Sequence, residues 1–303
     1  MSSALIPVTP PFSFDECRWW LDRNYDDCLH AATTSGIVKA LPYAGRQVLF
    51  HLSSPSTDQP PAIQLKILAG PSDPDAVNYC VSFLKEWWDL ESDLTPFYTQ
   101  LKAHPQLSYL GEKFTGLRLI GIPNLFESLC WSIIGQQINL KFAYQMKRRL
   151  VEATGEFVEF NSNRYWIFPT PESVLQLDPQ QLRDMQFSRQ KIAYIHAVAE
   201  AFVNNRISKE QLLQLPDDTS RLEALLALKG IGIWTANYVL MKTFHTRSAI
   251  TWGDAGLLNA LISHQLIADK RSTAAIESLF GKFRGWESYL TLYLWRSLSQ
   301  PTG

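Results

Sequence analysis

The residues with the clearest chemical potential lie in Leu228-Lys229-Gly230-Ile231-Gly232-Ile233-Trp234-Thr235-Ala236-Asn237-Tyr238, with one carboxylate, Asp254, further along the chain. Gly-Ile-Gly reads as a tight turn between two helices. Glycines at 230 and 232 allow positive φ and let a ligand come close to the backbone. The helix starting near Ile233 offers unsatisfied N–H groups and the positive end of its dipole, so a phosphate can sit there. Such a turn grips an anion without using a lysine, although Lys229 can add a charge. The same turn is also an ordinary connection between antiparallel helices, so Gly-x-Gly alone decides little. Asp254 lies in Gly253-Asp254-Ala255-Gly256-Leu257-Leu258, which reads as an N-cap opening a helix. Cap and catalytic acid are compatible roles. A phosphate-gripping turn with one acid at fixed reach points to chemistry on a nucleic acid.

The elements that must position these residues fall into two zones, 1–111 and 112–303. The first reads as a small α+β domain. Residues 36–43, 47–52 and 62–68 alternate like strands, divided by Ala44-Gly45-Arg46 and by a polar, proline-rich loop over 53–61. From Asp75 to about Leu101 apolar residues recur at helical spacing. The second zone is expected to be all helical, making the fold class mainly α. A helix over 126–152 is interrupted at Gly135-Gln136-Gln137-Ile138-Asn139. Thr170-Pro171 and Asp178-Pro179 each place a capping residue before a proline at the first helical position. Helices are expected over 189–203, 219–229 and 281–298.

Composition sets the outer limits. The chain has 303 residues, 46% of them hydrophobic and 19% charged, as in a globular protein. The start lacks a basic segment followed by a long apolar run, and no stretch approaches the length of a membrane helix. An intracellular protein is expected. The cysteines at 17, 28, 80 and 130 are scattered. They support neither a zinc nor an iron–sulfur site and read as free, mostly buried thiols. The net charge of −1 argues against a polyanion partner until the chain is divided at Gly111. There are 7 Lys and Arg against 12 Asp and Glu up to that point, and 21 against 17 after it. A polyanion would meet the C-terminal part.

The pattern Leu-x-Gly-Ile-Gly-x-Trp-Thr-Ala-x-Tyr resembles the helix-hairpin-helix DNA glycosylases, most closely the alkylation-repair branch, DNA-3-methyladenine glycosylase II. Gly116-Leu117-Arg118-Leu119 before Phe126-Glu127, Ile133-Ile134-Gly135-Gln136-Gln137, Phe168-Pro169-Thr170-Pro171 and Trp286-x-x-Tyr289 with Trp295 extend the resemblance in order from about 112 to 298. It implies a helix-hairpin-helix glycosylase core preceded by a small α+β domain. It also implies that Asp254 is the catalytic aspartate. Loss of a base builds positive charge on deoxyribose, and a fixed carboxylate near C1′ stabilises that state and can orient or deprotonate a water. Some members carry a second acid directly before this one; here Gly253 stands there.

Bifunctional relatives keep a lysine nucleophile where this chain has Trp234, and tryptophan cannot form a Schiff base. The resemblance therefore implies a monofunctional enzyme that releases a base and leaves an abasic site. A base must leave the duplex to be attacked, and alkylated purines such as 3-methyladenine and 7-methylguanine are cationic. Electron-rich aromatic faces attract cations. Trp234, Tyr238 and Trp295 occupy the family's pocket positions, with Phe12, Phe14 and Trp19 as candidates for a further wall. All six can equally be packing aromatics.

Gln137, with Ile138 beside it, occupies the place of the residue that fills the gap in the stack; a plain loop glutamine is the other reading. Gly230, Ile231, Gly232, Lys229 and Thr235 are the expected DNA contacts. The implied partner is double-stranded DNA containing alkylated bases, bound by a monomer. No enzymatic cofactor and no catalytic metal are implied, although the family's hairpin can hold a monovalent cation through backbone carbonyls. Two other readings stay open: a glycosylase for oxidised or deaminated bases, and a non-catalytic binder of damaged DNA on the same scaffold.

Overall fold

A five-stranded antiparallel sheet, a two-stranded antiparallel hairpin and fifteen helices make up most of the computed structural model, which describes residues 2–23, 25–55 and 61–299. Residues 56–60 of the expected loop lie outside the described residues. The chain opens with β1 (Ser3–Pro7) and α1 (Phe14–Leu21), then β2 (Ala31–Thr33), β3 (Gly36–Tyr43), β4 (Arg46–Ser53) and β5 (Ala62–Ala69). The sheet order is β1-β5-β4-β3-β2. Three helices follow: α2 (Pro74–Trp87), α3 (Thr95–Ala103) and α4 (Ser108–Lys113). Beyond them come α5 (Leu125–Gly135), α6 (Leu140–Thr154), β6 (Phe157–Phe160) and β7 (Asn163–Trp166). The rest is helical: α7 (Pro171–Leu175), α8 (Pro179–Asp184), α9 (Arg189–Val203), α10 (Lys209–Leu213), α11 (Asp218–Leu226), α12 (Ile233–Phe244), α13 (Ala255–Ser263), α14 (Thr273–Gly281) and α15 (Glu287–Ser297).

The alternation in β4 explains the sheet's two covered faces. Val48, Phe50 and Leu52 are fully buried on the side of the main core, while Leu49 points the other way. Leu49 joins Val38, Ala40 and Ile167 in a second apolar cluster capped by Val158, Phe160 and Tyr165. Those capping residues belong to the β6–β7 hairpin, so the C-terminal zone is not all helical as expected. The hairpin turns through Asn161 and Ser162 at φ 49° and 60°, the left-handed pair a two-residue turn needs. Its role is to cover the outer face of a sheet that lies more than a hundred residues earlier.

The helical run expected over 75–101 is broken between α2 and α3. Asp89 adopts φ 46° there, and its carboxylate accepts bonds from Ser92 Oγ at 2.7 Å and Tyr289 OH at 2.5 Å. The side chain thus trades helix continuity for an anchor on α15. The closing helix starts at Glu287 rather than near 281, after a turn through Gly285 at φ 82°. The caps at Thr170 and Asp178 form as expected, the latter as a full capping box.

Arg118 is completely buried and carries the connection that matters for the site. Its guanidinium donates to the carbonyls of Ser92 and Thr9, both at 2.5 Å, and to those of Asp89 and Pro11. A single buried cation thereby fixes the segment leading into α1. Arg296 of α15 pairs with Glu16 at 2.8 Å and lies 3.5 Å over the Trp19 ring, docking α1 on the last helix. Behind α1, buried Lys147 meets Asp27 at 3.2 Å and Glu127 at 3.1 Å. Burial opposes ionisation of Asp27, but Lys147 and then His30 outweigh it and hold the carboxyl well below its usual range. All four cysteines are free and buried. Burial pushes the thiols of Cys17, Cys28 and Cys80 up to about 12, so none is a ready nucleophile.

Candidate active site

The hairpin between α11 and α12 supplies the first part of the site. Gly230 has φ 88°, and a Cβ there would fall 2.2 Å from the Tyr194 ring, so both backbone and packing demand glycine. Gly232 differs. It is the N-cap of α12 at φ −95°, and a Cβ would meet nothing within 4 Å. The fold does not need glycine at 232, which leaves that face open for something outside the chain. No side chain caps α12, so its first amides point outward unpaired by a cap. Ile231 is buried and pins the turn from inside, while Lys229 is exposed at its tip.

Thr235 departs from expectation. It is buried, and its hydroxyl faces the Gln136 amide at 3.4 Å, so the side chain braces the hairpin. The reason is its place in the first turn of α12, where the helix face carrying it packs against the end of α5. Gln136 also donates to the Gly230 carbonyl at 3.3 Å, linking the α5 terminus to the hairpin.

Trp234 and Tyr238 stand one turn apart on α12, and their rings stack at 5.3 Å and 24°. The second part of the site grows from α13. Asp254 is its N-cap: Oδ1 accepts from the Leu257 amide at 2.7 Å. The same oxygen accepts from Trp295 Nε1 at 2.8 Å, and Oδ2 accepts from Trp234 Nε1 at 3.2 Å. Cap and site residue are one. The two tryptophans therefore do more than offer faces, because their N–H edges lock the carboxylate between α12 and α15. Close approach of the Trp295 indole depends on Gly256, where a Cβ would sit 3.1 Å from Asp254 Oδ1 and 3.2 Å from the indole. Among the described residues no lysine, arginine or histidine forms an ion pair with Asp254. Its charge, balanced only by neutral dipoles, remains available to a cation arriving from the cleft.

Asp254, Trp234, Tyr238, Trp295, Gln137 and Ile138 all line one cleft of about 1400 Å³. The opposite wall comes from α1 and the residues after it. Trp19 is part of it, but Phe12 and Phe14 are not; they pack on Trp88, with ring centroids 6.4 and 5.4 Å away. Trp20 takes the place expected of them, stacked on Trp295 at 6.3 Å and 25°. Trp131 of α5 and Tyr144 of α6 complete the aromatic lining, their rings 4.5 Å apart, with Trp131 Nε1 donating to Tyr238 OH at 3.0 Å. Desolvation raises the Tyr238 phenol far above its usual range, so it stays neutral.

Gln137 lies at the lip. It is exposed and held at φ 57° between α5 and α6, whereas Ile138 is half-buried and packs on the core. The geometry separates the two wedge candidates: Gln137 protrudes and Ile138 anchors. Sequence reasoning missed Trp20, Trp131, Tyr144 and the bracing Gln136. The Trp19-Trp20 pair was the one available signal, since adjacent helical residues point about 100° apart and one indole had to face away from Arg296.

Among the described residues no group of three or more His, Cys, Asp or Glu side chains could hold a metal ion. The hairpin carbonyls of Leu228 and Gly230 accept bonds from the Ile231 amide and the Gln136 side chain, which leaves each oxygen a second lone pair. Among the described residues no helix is long and apolar enough to cross a membrane.

Comparison with known proteins identifies relatives of the chain and of its fold. The HhH-GPD superfamily of base excision DNA repair proteins matches residues 130–285, and the N-terminal domain of 8-oxoguanine DNA glycosylase matches 28–129. A DNA-3-methyladenine glycosylase of Bacillus subtilis (strain 168) is 35% identical over 296 residues, covering 97% of each chain. The fold is shared with a 3-methyladenine DNA-glycosylase from Archaeoglobus fulgidus, with a TM-score of 0.81 at 21% identity over 96% of this chain and 97% of that one. It is shared also with a Clostridium acetobutylicum 8-oxoguanine glycosylase/lyase bound to double-stranded DNA, with a TM-score of 0.75 at 15% identity over 97% and 94%.

Proposed function

Because the chain belongs to the HhH-GPD superfamily of base excision DNA repair proteins, and within it to the DNA-3-methyladenine glycosylases, we propose that it hydrolyses the N-glycosidic bond of alkylated bases in double-stranded DNA. The observation that carries this reading is Asp254, clamped by two indole N–H groups at the floor of an open aromatic cleft. The hairpin at Gly230–Gly232 and the free amides of α12 hold the DNA backbone, with Lys229 at the tip adding charge. A flipped alkylpurine enters between the aromatic walls, and Gln137 fills the vacated stack. The bond from C1′ to the base nitrogen breaks, and its electron pair leaves with the base. Asp254 stabilises the cationic sugar, water adds to C1′, and its proton passes to the carboxylate or to solvent.

Trp234 sits against Asp254 where bifunctional relatives keep lysine, and it offers no nucleophile. The proposal is therefore base release without strand cleavage, by a monomer acting inside the cell. A monovalent cation at the hairpin carbonyls, when bound, supplies positive charge beside a phosphate; no step of base release passes through it. The test is an HPLC profile of bases released from methylated DNA, with borohydride trapping run in parallel. Methylpurines should appear and no covalent adduct should form. Failure to release any methylpurine refutes the substrate, and a trapped adduct refutes the monofunctional mechanism.

A further inference from the structure

Two arginines of the cleft wall are left unused by the mechanism: Arg18, which pairs with Asp22 at 4.0 Å, and Arg23. Arg23 follows α1 and lines both the main cleft and a smaller recess of about 90 Å³ behind it. Its Nε donates to the Trp20 carbonyl at 2.7 Å, and its guanidinium carbon lies 3.8 Å from the Trp20 ring centre and 5.5 Å from that of Tyr25. These contacts fix the plane of the fork, and among the described residues neither terminal nitrogen has a hydrogen-bond partner. Among the described residues no carboxylate forms an ion pair with it. From Asp254 the contacts run to Trp295, then Trp20, then Arg23. The charge also reaches residues that line the recess. Desolvation first, and Arg23 second, depress the Lys242 ammonium to about 7, and Arg23 is among the charges acting on Tyr144 and Tyr238.

A fixed fork of N–H donors, unpaired among the described residues and set between the cleft and the recess, calls for an acceptor edge. A base joined to the sugar beside Asp254 directs its distal edge inward. A purine with a 6-carbonyl gives the guanidinium an oxygen to bond. A purine with a 6-amino group turns donors toward donors at that position and offers the fork only a ring nitrogen beside them, a poorer match. We propose that Arg23 is a specificity-determining residue that reads the 6-carbonyl of the flipped purine, so that the enzyme prefers guanine-type over adenine-type alkylated bases. The inference rests on the glycosylase reading above and narrows its substrate.

The test uses one preparation of methylated duplex DNA containing both 7-methylguanine and 3-methyladenine. Single-turnover release of each is measured for wild type, Arg23→Met and Arg23→Lys. The ratio of 7-methylguanine to 3-methyladenine release, normalised to the spontaneous rate of each, is the readout. A good arginine–purine contact discriminates by about tenfold or more, so the ratio should fall by about that factor in Arg23→Met. Arg23→Lys keeps the charge but loses the planar fork, and its ratio should fall as well. An unchanged ratio in both variants overturns the role of Arg23 while leaving the glycosylase reading intact. A ratio preserved only by lysine overturns the fork in favour of simple charge. Wild-type enzyme that releases neither base refutes the glycosylase reading itself.

Discussion

Replacing Asp254 by asparagine separates its structural work from its chemical work. Asparagine caps helices as well as aspartate does, so the bond to the Leu257 amide persists. The side-chain oxygen settles at the Oδ1 position, where it accepts from both Leu257 and Trp295. The amide nitrogen then replaces Oδ2 and faces the Trp234 N–H, donor against donor, where 3.2 Å once held a hydrogen bond. Losing one such bond to a charged acceptor costs about 1.5–3 kcal/mol. In a chain of this size that is a drop of several degrees in Tm, not unfolding.

The chemical loss is larger in proportion. Removing one preorganised electrostatic group from a transition state typically costs about 10²–10³ in rate. Single-turnover release of methylpurines should therefore fall at least about a hundredfold, while affinity for an abasic-site duplex stays close to wild type. Asp254→Ala should lose the same rate and about 1 kcal/mol more stability, because the cap goes too. If Asp254→Asn retains release within about tenfold of wild type, a barrier change of only about 1.4 kcal/mol, the carboxylate is not the catalytic group. A protein that binds damaged DNA with no release even as wild type would instead favour the non-catalytic binder.

The two hairpin glycines should respond oppositely. Gly230→Ala, which drives a Cβ to 2.2 Å from Tyr194 at φ 88°, should lower Tm markedly, whereas Gly232→Ala should cost at most about 1 kcal/mol, the loss of a better N-cap, and weaken DNA binding in a filter or anisotropy assay. Equal Tm losses would remove the argument that 232 faces the DNA. Gln137→Ala should weaken binding to an abasic-site duplex several-fold at unchanged thermal stability, and unchanged affinity would strip Gln137 of the wedge role. Lys242 is buried, bonded to the Ile120 carbonyl, and depressed from 10.5 to about 7 by desolvation. Between those values the unfolded chain binds a proton that the folded protein lacks, so stability rises with pH across that window, and the full penalty applies below it. Lys242→Met should raise Tm near neutral pH, and the gain should shrink as pH approaches 10.5; a gain that does not vary with pH counts against a buried ammonium.

Where the sequence was legible, the reason was local. The β3 strand at Gly36–Tyr43 and the α9 helix at Arg189–Val203 coincide with their expected bounds, because period and turn residues agree with the final environment. The helix run through 75–101 failed because Asp89 gains a long-range bond to Tyr289 that no local window contains. The β6–β7 hairpin escaped notice for the same reason. Its strands are four residues each, and the surface they cover is contributed by β3 and β4.

The amino-acid sequence alone determined the turn with its two glycines, the position of Asp254, the tryptophan that follows the turn, and the order of helices that carries them. These are properties of residue type and spacing, and both survive any arrangement of the helices. Only the tertiary structure decided that Asp254 is held by the indole N–H groups of Trp234 and Trp295, that Trp20 rather than Phe12 or Phe14 faces the cleft, that Thr235 is a brace, and that Arg23 lines the cleft without an ion-pair partner among the described residues. Each of those facts joins residues from elements far apart in the chain. They depend on packing angles set by Arg118, Lys147 and Arg296, buried cations whose partners are likewise distant in sequence.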